Sequence, residues 1–335
     1  MIIENASLKK YNTFGLTIKA DRLVTFRLAE NARNYFRRHG GSDHKLLVTG
    51  AGSNILFTGD YHGTVIHPEM DQIRLIDKKN DHVIISSGAG VVWDKLVEMT
   101  VKHGFGGLEN LSHIPGNVGA VPVQNIGAYG AEAKDSICKV MAINMIDGSE
   151  SEFSNSECRF AYRDSIFKHE LKGQYLITEV WFRLSTRPLL RLSYGSLREE
   201  IVKMGAESLE NARKVVISIR QSKLPDPSKL GNAGSFFRNP VVPAALAEEL
   251  KSSYPCMPVF SEPSGDVKLA AGWLIEQCGW KGRRRGDAGI HDKQALVIVN
   301  HGNATGKELF ELSEQVRSSV LEKFGIALER EVEVI

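Results

Sequence analysis

Cysteine is scarce in this sequence, and long apolar runs are missing. Four cysteines are scattered over 335 residues without a CxxC pair, so their spacing predicts neither a zinc site nor a disulfide framework. No segment approaches the ~18 consecutive apolar residues of a membrane span, and the first residues lack the apolar stretch of a signal peptide. We therefore expect a cytoplasmic protein without a metal site.

An excess of one charge is absent as well. Lysine and arginine total 42 against 40 acidic residues, a formal net charge of +2. This balance creates no global field for nucleic acid or an anionic membrane. The basic run KGRRRGD (281–287) contains no interleaved aromatics, and we interpret it as an exposed loop. We expect small molecules as partners, no nucleic acid, no membrane, and a monomer.

Glycine, in contrast, is plentiful and placed after strands. An apolar strand at 46–48 enters TGAGSNILF, and a second at 82–87 enters GAG before a helix whose apolar residues share one face. Residues 104–132 are too rich in glycine for a regular helix and too apolar for a disordered linker. We expect an ordered loop there, wrapped around a ligand.

The remainder of the chain predicts two or three domains. A hairpin around Asp147-Gly148 and an alternating strand near Tyr175 indicate an antiparallel sheet. A helical stripe then ends at Leu224-Pro225, a plausible boundary. Beyond it we expect a helix over 266–279, a buried strand in QALVIVN, and a last helix that a Thr305/Glu308 capping box opens.

The first glycine loop does not meet the dinucleotide fingerprint. Gly50 and Gly52 follow a strand, but Ile55 occupies the place of the third glycine. Exposed amides in such a loop can still bind a pyrophosphate, because glycine lets the backbone approach closely. Taken alone, a glycine loop is more often an ordinary turn, but three of them within one hundred residues are harder to explain in this way.

Several motifs together resemble one family. They are TGAGSNILF, SSGAG, GLENLSHIPGNVGAVPVQNIGAYGAE, YRDS, GNAGSFFRNP, KLAAGWLIEQCG and GDAGIHDKQALVIVN. In this order they resemble the UDP-N-acetylenolpyruvoylglucosamine reductases over nearly the whole chain. The resemblance implies an α+β protein of three lobes. Residues 1–66 and 67–224 would form an FAD-binding unit of the vanillyl-alcohol-oxidase type, and 225–335 an α/β substrate lobe whose C-terminal tail returns to the active site.

The same resemblance implies the activity. NADPH would reduce a noncovalently held FAD, which would then reduce UDP-N-acetyl-3-O-(1-carboxyvinyl)-glucosamine to UDP-N-acetylmuramate for peptidoglycan. The protein would supply placement and electrostatics while the flavin carries the hydride. By alignment with the family, the flavin contacts would be Gly50, Gly52, Ser53, Asn54, Ile114, Pro115, Gly116, Gly119, Asn125, Gly127 and Ala128.

The resemblance also assigns three catalytic residues. Arg163 and Glu331 would stabilise the enolate-like species, and Ser235 would protonate carbon two. An arginine fork suits a carboxylate, and an enolate is basic enough to take a hydroxyl proton. Without the resemblance, the ordinary interpretations would be preferred: a surface arginine, a turn serine and an exposed acid on a terminal strand.

Four further residues match the family's substrate side. They are Tyr194, Lys223, Asn239 and Gln294. Lys223 is the clearest, because an ammonium is a point-charge partner for a diphosphate, although a solvated helix end is the commoner place for a lysine. The sequence departs from the family at Arg330, where many relatives have proline, and in its short C-terminus.

Two other functions remain open at this point. One is an FAD oxidase of the same broad fold that passes electrons to oxygen, against which GNAGSFFRNP argues. The other is a catalytically silent nucleotide-sugar-binding protein. The joint presence of Arg163, Ser235 and Glu331 argues against a protein that only binds the nucleotide sugar.

Overall fold

A computed structural model describes residues 1–40, 45–262 and 264–335. The strands are β1 (Ile2–Ser7), β2 (Lys19–Phe26), β3 (Leu46–Val48), β4 (Ile55–Leu56), β5 (Tyr61–Pro68), β6 (Ile73–Lys78), β7 (His82–Gly88), β8 (Gly127–Ala128), β9 (Ala131–Glu132), β10 (Ile137–Asn144), β11 (Glu150–Ser154), β12 (Tyr175–Ser185), β13 (Gly231–Ser235), β14 (Val241–Val242), β15 (Val259–Ser261), β16 (Val267–Leu269), β17 (Arg284–Arg285), β18 (Ala288–Ile290), β19 (Val297–Asn300) and β20 (Glu333–Val334). The α-helices are α1 (Ala29–His39), α2 (Trp93–Lys102), α3 (Leu197–Lys203), α4 (Leu209–Lys223), α5 (Ala244–Ser253), α6 (Ala271–Gln277) and α7 (Gly306–Phe324).

The chain divides into two compact units, each assembled from stretches that are separate in sequence. The first comprises Met1–Ala6, Ala20–Ala51 and His62–Ser222. The second comprises Ser7–Lys19, Gly52–Tyr61 and Lys223–Ile335. The lobe boundaries predicted after residues 66 and 224 remain predictions.

The first unit contains a four-stranded sheet in the order β1-β2-β5-β3, in which β3 and β5 run parallel. Helix α1 packs its buried residues Ala32 and Phe36 against Val24 and Phe26 of β2. The two phenylalanine rings lie 6.0 Å apart. The strand predicted at 46–48 is therefore confirmed as part of this layer.

The same unit contains an antiparallel sheet in the order β11-β10-β12-β7-β6. Gly148, with φ of 71°, turns the chain between β10 and β11, as its Asp-Gly pair predicts. Helix α2 buries the predicted stripe on this sheet, and the ring of Trp93 lies 5.8 Å from that of Phe182. This packing fixes the N-terminus of α2, which the glycine-rich loop at 104–132 contacts.

The second unit is built on a sheet in the order β13-β19-β18-β17 and a smaller one, β14-β16-β15. The predicted capping box begins α7, since Thr305 Oγ1 accepts from the Glu308 amide at 3.2 Å and Glu308 Oε2 accepts from the Thr305 amide at 2.7 Å. The helix ends at Gly325, whose φ of 68° suits glycine. The last strand, β20, pairs in parallel with β4.

One predicted helix is wrong in its first half. Residues 266–279 were expected to be helical throughout, but Val267–Leu269 form the central strand β16, and only Ala271–Gln277 are α-helical. Pairing with β14 on one side and β15 on the other overrides the local helical pattern. The predicted stop at Gly279 is confirmed, with φ of 74°.

In the described ranges, none of the helices combines the length and apolar character that crossing a lipid bilayer requires.

Candidate active site

In the first unit, the loop 113–117 presents its backbone at the N-terminus of α2. The Trp93 amide donates to the Gly116 carbonyl at 3.0 Å, and Gly116 has φ of 128°, a conformation that favours glycine. Within the described part of the chain, the amides of Ile114, Gly116 and Asn117 donate no hydrogen bond. Unpaired N–H groups close together suit an anion such as the FAD diphosphate.

Two other predicted flavin glycines in this unit lie where a side chain would not fit. A Cβ on Gly50 would lie 2.7 Å from Asn117 Oδ1, and one on Gly119 would lie 2.7 Å from the Cβ of Ala89. The Oδ1 of Asn117 is itself buried without a hydrogen-bond partner among the described residues. A close backbone and an unsatisfied acceptor both fit a bound cofactor.

Arg163 and Gly127 lie together in the first unit. Arg163 Nη2 donates to the carbonyl of Gly127, at the start of β8, across 2.6 Å. Arg163 itself has φ of 55°, which is unusual for a residue with a side chain. Asn125 supports both segments, because its buried side chain donates to the Ala161 carbonyl at 2.9 Å and accepts from the Lys134 amide at 2.9 Å.

Tyr194 is exposed, and its ring lies edge-on to that of Tyr129 at 5.7 Å. Tyr129 follows Ala128, the last predicted flavin contact, and has φ of 50°. Burial raises the pKa of Tyr129, although the nearby Arg220 opposes the shift. Sequence reasoning did not select either Tyr129 or Arg220.

Arg220 is a cation on the inner side of α4. Burial lowers the pKa of its guanidinium and Arg163 lowers it further, whereas Tyr129 and Asp94 oppose the shift. Its Nε donates to the His113 carbonyl at 3.1 Å. A signal existed in the sequence, because Arg220 lies four residues after the buried Val216 and so falls on the apolar stripe of the helix.

In the second unit, Ser235 and Glu331 lie on paired segments. Ser235 ends β13 beside Val297, after a register irregularity, and the preceding Gly234 has φ of 69°. The Glu331 amide donates to the carbonyl of Phe236, the residue after Ser235, at 2.8 Å. Glu331 is half-buried and precedes β20, so it is not the exposed acid of a terminal strand that the alternative interpretation required.

Asn54 connects the first glycine loop to this acid. Its Nδ2 donates to the Glu331 carbonyl at 3.0 Å, and its own carbonyl accepts from the Glu333 amide at 3.0 Å. Ser53 is half-buried beside it. Gly52 has φ of 64°, and a Cβ there would lie 2.0 Å from the Tyr11 carbonyl oxygen. The loop thus packs against backbone on one side and holds the C-terminal segment on the other.

Two of the predicted substrate residues of the second unit, Asn239 and Gln294, lie beside the start of α6. Asn239 Oδ1 accepts from the Ala271 amide at 3.0 Å, and a Cβ on Gly272 would lie 3.2 Å from Gln294 Oε1. Gln294 lies in the turn that leads into β19, the partner of β13. Lys223 is exposed at the end of α4 and makes no ion pair within the described ranges.

The predicted residues are thus divided between the two units. Arg163, Tyr194 and the loops from Ile114 to Ala128 belong to the first, with Gly50. Ser235 and Glu331 belong to the second, together with Gly52, Ser53, Asn54, Lys223, Asn239 and Gln294. In each unit several of the predicted residues lie on contacting segments: Arg163 with Gly127 in the first, and Asn54 with Glu331 in the second.

Two family models match the chain. Residues 21–153 match the family described as FAD binding domain, and residues 226–335 match the family described as UDP-N-acetylenolpyruvoylglucosamine reductase, C-terminal domain. The first match agrees with the open amides of the loop 113–117 and confirms the predicted FAD cofactor.

Relatives that align over nearly their whole length are also named UDP-N-acetylenolpyruvoylglucosamine reductase. The UDP-N-acetylenolpyruvoylglucosamine reductase of Chromobacterium violaceum is 47% identical over 330 residues, which cover 98% of this chain and 97% of the relative. That of Flavobacterium johnsoniae is 45% identical over 337 residues, covering 100% and 99%.

A solved structure extends the similarity to the fold. The reductase MurB from Thermus caldophilus aligns with a TM-score of 0.70 at 26% identity, covering 100% of this chain and 98% of the other. The predicted fold class, an α+β protein with an FAD-binding unit and a substrate lobe, is confirmed. The prediction that the protein is an FAD-dependent oxidoreductase is confirmed as well. The chain belongs to the UDP-N-acetylenolpyruvoylglucosamine reductase family.

Proposed function

We propose that Arg163, Ser235 and Glu331 catalyse the reduction of the enolpyruvyl ether of UDP-N-acetylglucosamine to UDP-N-acetylmuramate, with NADPH as the reductant of the bound FAD. The observation that carries this proposal is the hydrogen bond from the Glu331 amide to the carbonyl beside Ser235. This bond holds the residues that carry the proposed hydroxyl and carboxyl groups on adjoining segments, although Ser235 and Glu331 are 96 positions apart in the sequence.

FAD, when bound, supplies hydride transfer. The chain must hold it by its diphosphate, and the amides of Ile114, Gly116 and Asn117 are donors suited to that charge. Because the family pattern implies no covalent link to the flavin ring, acid precipitation should release all the flavin into the supernatant.

Arg163 stabilises the negative charge that develops on the carboxylate of the substrate. Its guanidinium is anchored at 2.6 Å on the Gly127 carbonyl, so the donor is oriented before substrate arrives. A preorganised donor that faces developing charge contributes about 3 kcal/mol to transition-state stabilisation. Glu331 acts on the same charge and must hold or share a proton to do so.

Ser235 donates the proton that completes the saturated product. A serine hydroxyl is a weak acid, but an enolate is a strong enough base to deprotonate it. The irregular register of β13 supports this role, because an extra residue in a strand re-aims the side chains beside it.

The UDP part of the substrate is held by Lys223, Tyr194, Asn239 and Gln294. Lys223 offers an exposed ammonium to the diphosphate. Tyr194 offers an exposed ring, already supported edge-on by Tyr129. Asn239 and Gln294 both lie beside the first residues of α6.

A product assay with the holoenzyme tests the proposal. One NADPH should be consumed for each UDP-N-acetylmuramate formed, and Arg163→Lys and Glu331→Gln should each lower turnover about 100-fold or more. Oxygen consumption without the UDP-sugar would identify an FAD oxidase instead. Binding of the UDP-sugar without NADPH consumption would identify a silent binding protein.

The cellular setting belongs to the same proposal. We propose that the enzyme is a monomer. We place it in the cytoplasm, where NADPH and nucleotide sugars are both present. Sedimentation of the holoenzyme at micromolar concentration would detect a dimer.

A further inference from the structure

The loop that precedes the open amides begins at a strained residue. His113 has φ of 61°, a left-handed conformation that residues with a Cβ adopt only when their surroundings enforce it. Its side chain is exposed, so packing of the imidazole does not enforce the conformation. The restraint must act on the backbone.

Both polar groups of the His113 backbone are bonded to charged side chains. The amide donates to Asp94 Oδ1 at 2.5 Å, and the carbonyl accepts from Arg220 Nε at 3.1 Å. Asp94 lies in the first turn of α2 and Arg220 near the end of α4. Hydrogen bonds to ionised groups are about twice as strong as neutral ones, so these two bonds define how the chain enters the loop.

Asp94 is itself oriented by Arg213. The two side chains form a bidentate pair, with Nη1 to Oδ1 at 2.6 Å and Nη2 to Oδ2 at 2.9 Å. Burial opposes ionisation of Asp94, but Arg213 and the His113 amide outweigh it and hold the pKa of the carboxyl below its ordinary value. The pair is well shielded, with the Arg213 side chain 12% exposed.

The other end of the loop is fixed by the same helix. The amide of Trp93, the neighbour of Asp94, donates to the Gly116 carbonyl at 3.0 Å. Two consecutive residues of α2 therefore hold the two ends of the loop. Between and just after these ends lie the amides of Ile114, Gly116 and Asn117, which have no acceptor in the described part of the chain.

We propose that the Asp94–Arg213 ion pair is a positioning device for the cofactor: it holds His113 in its left-handed conformation and so aims the amides of the loop 113–117 at the FAD diphosphate. Asp94 touches neither FAD nor substrate in this scheme. The inference rests on the proposed role of the loop as the diphosphate site, and it adds the residues that set the direction of its donors.

A purely structural role would predict something different. An ion pair that only joins α2 to α4 would change the stability of the protein and leave FAD affinity unchanged. The same helix offers a matched control in Glu98, whose pair with Lys102 at 2.9 Å is exposed and contacts no loop amide.

The test titrates deflavinated protein with FAD and obtains the dissociation constant from flavin fluorescence, together with the melting temperature of each apoprotein. Asp94→Ala should weaken FAD binding about 10- to 100-fold, the effect of losing a charge-assisted hydrogen bond. Asp94→Asn retains an acceptor for the His113 amide and should bind FAD within about fivefold of wild type. Glu98→Gln should match wild type.

Asp94→Ala leaves Arg213 buried without its partner and could unfold the protein. The double variant Asp94→Ala/Arg213→Met removes that charge and should fold, yet it should show the same 10- to 100-fold loss of FAD affinity. At saturating FAD it should recover most of its turnover with an unchanged KM for the UDP-sugar.

Wild-type FAD affinity in the double variant would overturn the inference, as would an equal loss in Glu98→Gln. A lowered apoprotein melting temperature with unchanged FAD affinity would assign the pair a structural role only. Failure of the proposed function is a separate result, because it would appear as a wild-type holoenzyme that binds FAD but does not turn over the UDP-sugar.

Discussion

Arg163 reaches back to the backbone of Gly127, and Nη2 lies 2.6 Å from the carbonyl oxygen. The contact is possible because Gly127 has no side chain. A Cβ there would lie 2.7 Å from Arg163 Nη1, which is closer than two such atoms can approach. The tightest conflict is with the far end of a flexible side chain, and the Ala131 carbonyl oxygen would lie farther off, at 3.1 Å, so we expect the arginine to move more than the backbone.

Gly127→Ala should therefore act on catalysis more than on stability. We expect turnover to fall about tenfold or more, because the displaced guanidinium no longer faces the developing charge. The melting temperature should change by only a few degrees. Gly59→Ala is the matched control, since nothing lies within 4 Å of a Cβ at that position. Unchanged turnover in Gly127→Ala would mean that the anchor is irrelevant to the reaction.

Ser235→Ala should separate the two half-reactions. The proton of Ser235 is needed only after hydride has reached the enolpyruvyl group, so NADPH should bleach the flavin band at the wild-type rate. Reoxidation by the UDP-sugar should slow by about 10²- to 10⁴-fold, the range for a positioned acid. Stopped-flow absorbance follows both phases in one experiment.

Ser235→Cys is the matched control for that prediction. A thiol can donate a proton from nearly the same place, so part of the lost reoxidation rate should return. Equal slowing of both phases in the alanine variant would point to a misplaced flavin. Wild-type reoxidation would remove Ser235 from the mechanism.

Lys223→Ala should raise KM for the UDP-sugar more than it lowers kcat. A contact to the distant diphosphate contributes equally to the ground state and the transition state. Reduction of the flavin by NADPH should continue. Lys214→Ala removes another exposed lysine from α4 and should change neither constant. A thousandfold loss of turnover at unchanged substrate affinity would contradict the binding role.

Arg330 should contribute to both stability and turnover, because it holds the segment that carries Glu331 against α7. Its guanidinium pairs with Glu314 and lies 4.9 Å from the ring centre of Phe310, both on α7. Arg330→Ala should lower the free energy of unfolding by about 1–2 kcal/mol and turnover severalfold. Denaturant unfolding and steady-state kinetics measure the two effects. Arg159→Ala breaks an exposed ion pair and should leave both unchanged.

The stability provided by Asp94 should disappear in acid. Its pKa is lowered in the folded protein from an ordinary value of 3.8, so its contribution is complete above about pH 4 and is lost as the pH falls through the lower, folded value. Wild type and Asp94→Asn should thus differ in unfolding free energy at pH 7, and the difference should shrink as the pH falls below 3.8. Urea unfolding over this pH range measures the difference, and a constant gap would contradict the ionised pair.

Elements with local signals could be predicted from the amino-acid order alone. The apolar stripe of α2, the Asp-Gly turn between β10 and β11, and the Thr305/Glu308 capping box each involve residues within one or two turns of the chain, so their patterns survive in any tertiary context. The motifs also identified the family, the fold class and the FAD cofactor correctly.

How those residues are held, in contrast, depends on contacts that form in the folded chain. Strand β16 formed where a helix was expected, since pairing on two edges outweighs local propensity. The left-handed conformation of His113 depends on Asp94, 19 residues away, and on Arg220, 107 residues away. The Glu331 backbone depends on Asn54, 277 residues away. Hydrogen bonds over such separations exist only after the chain has folded, so no local pattern could encode them.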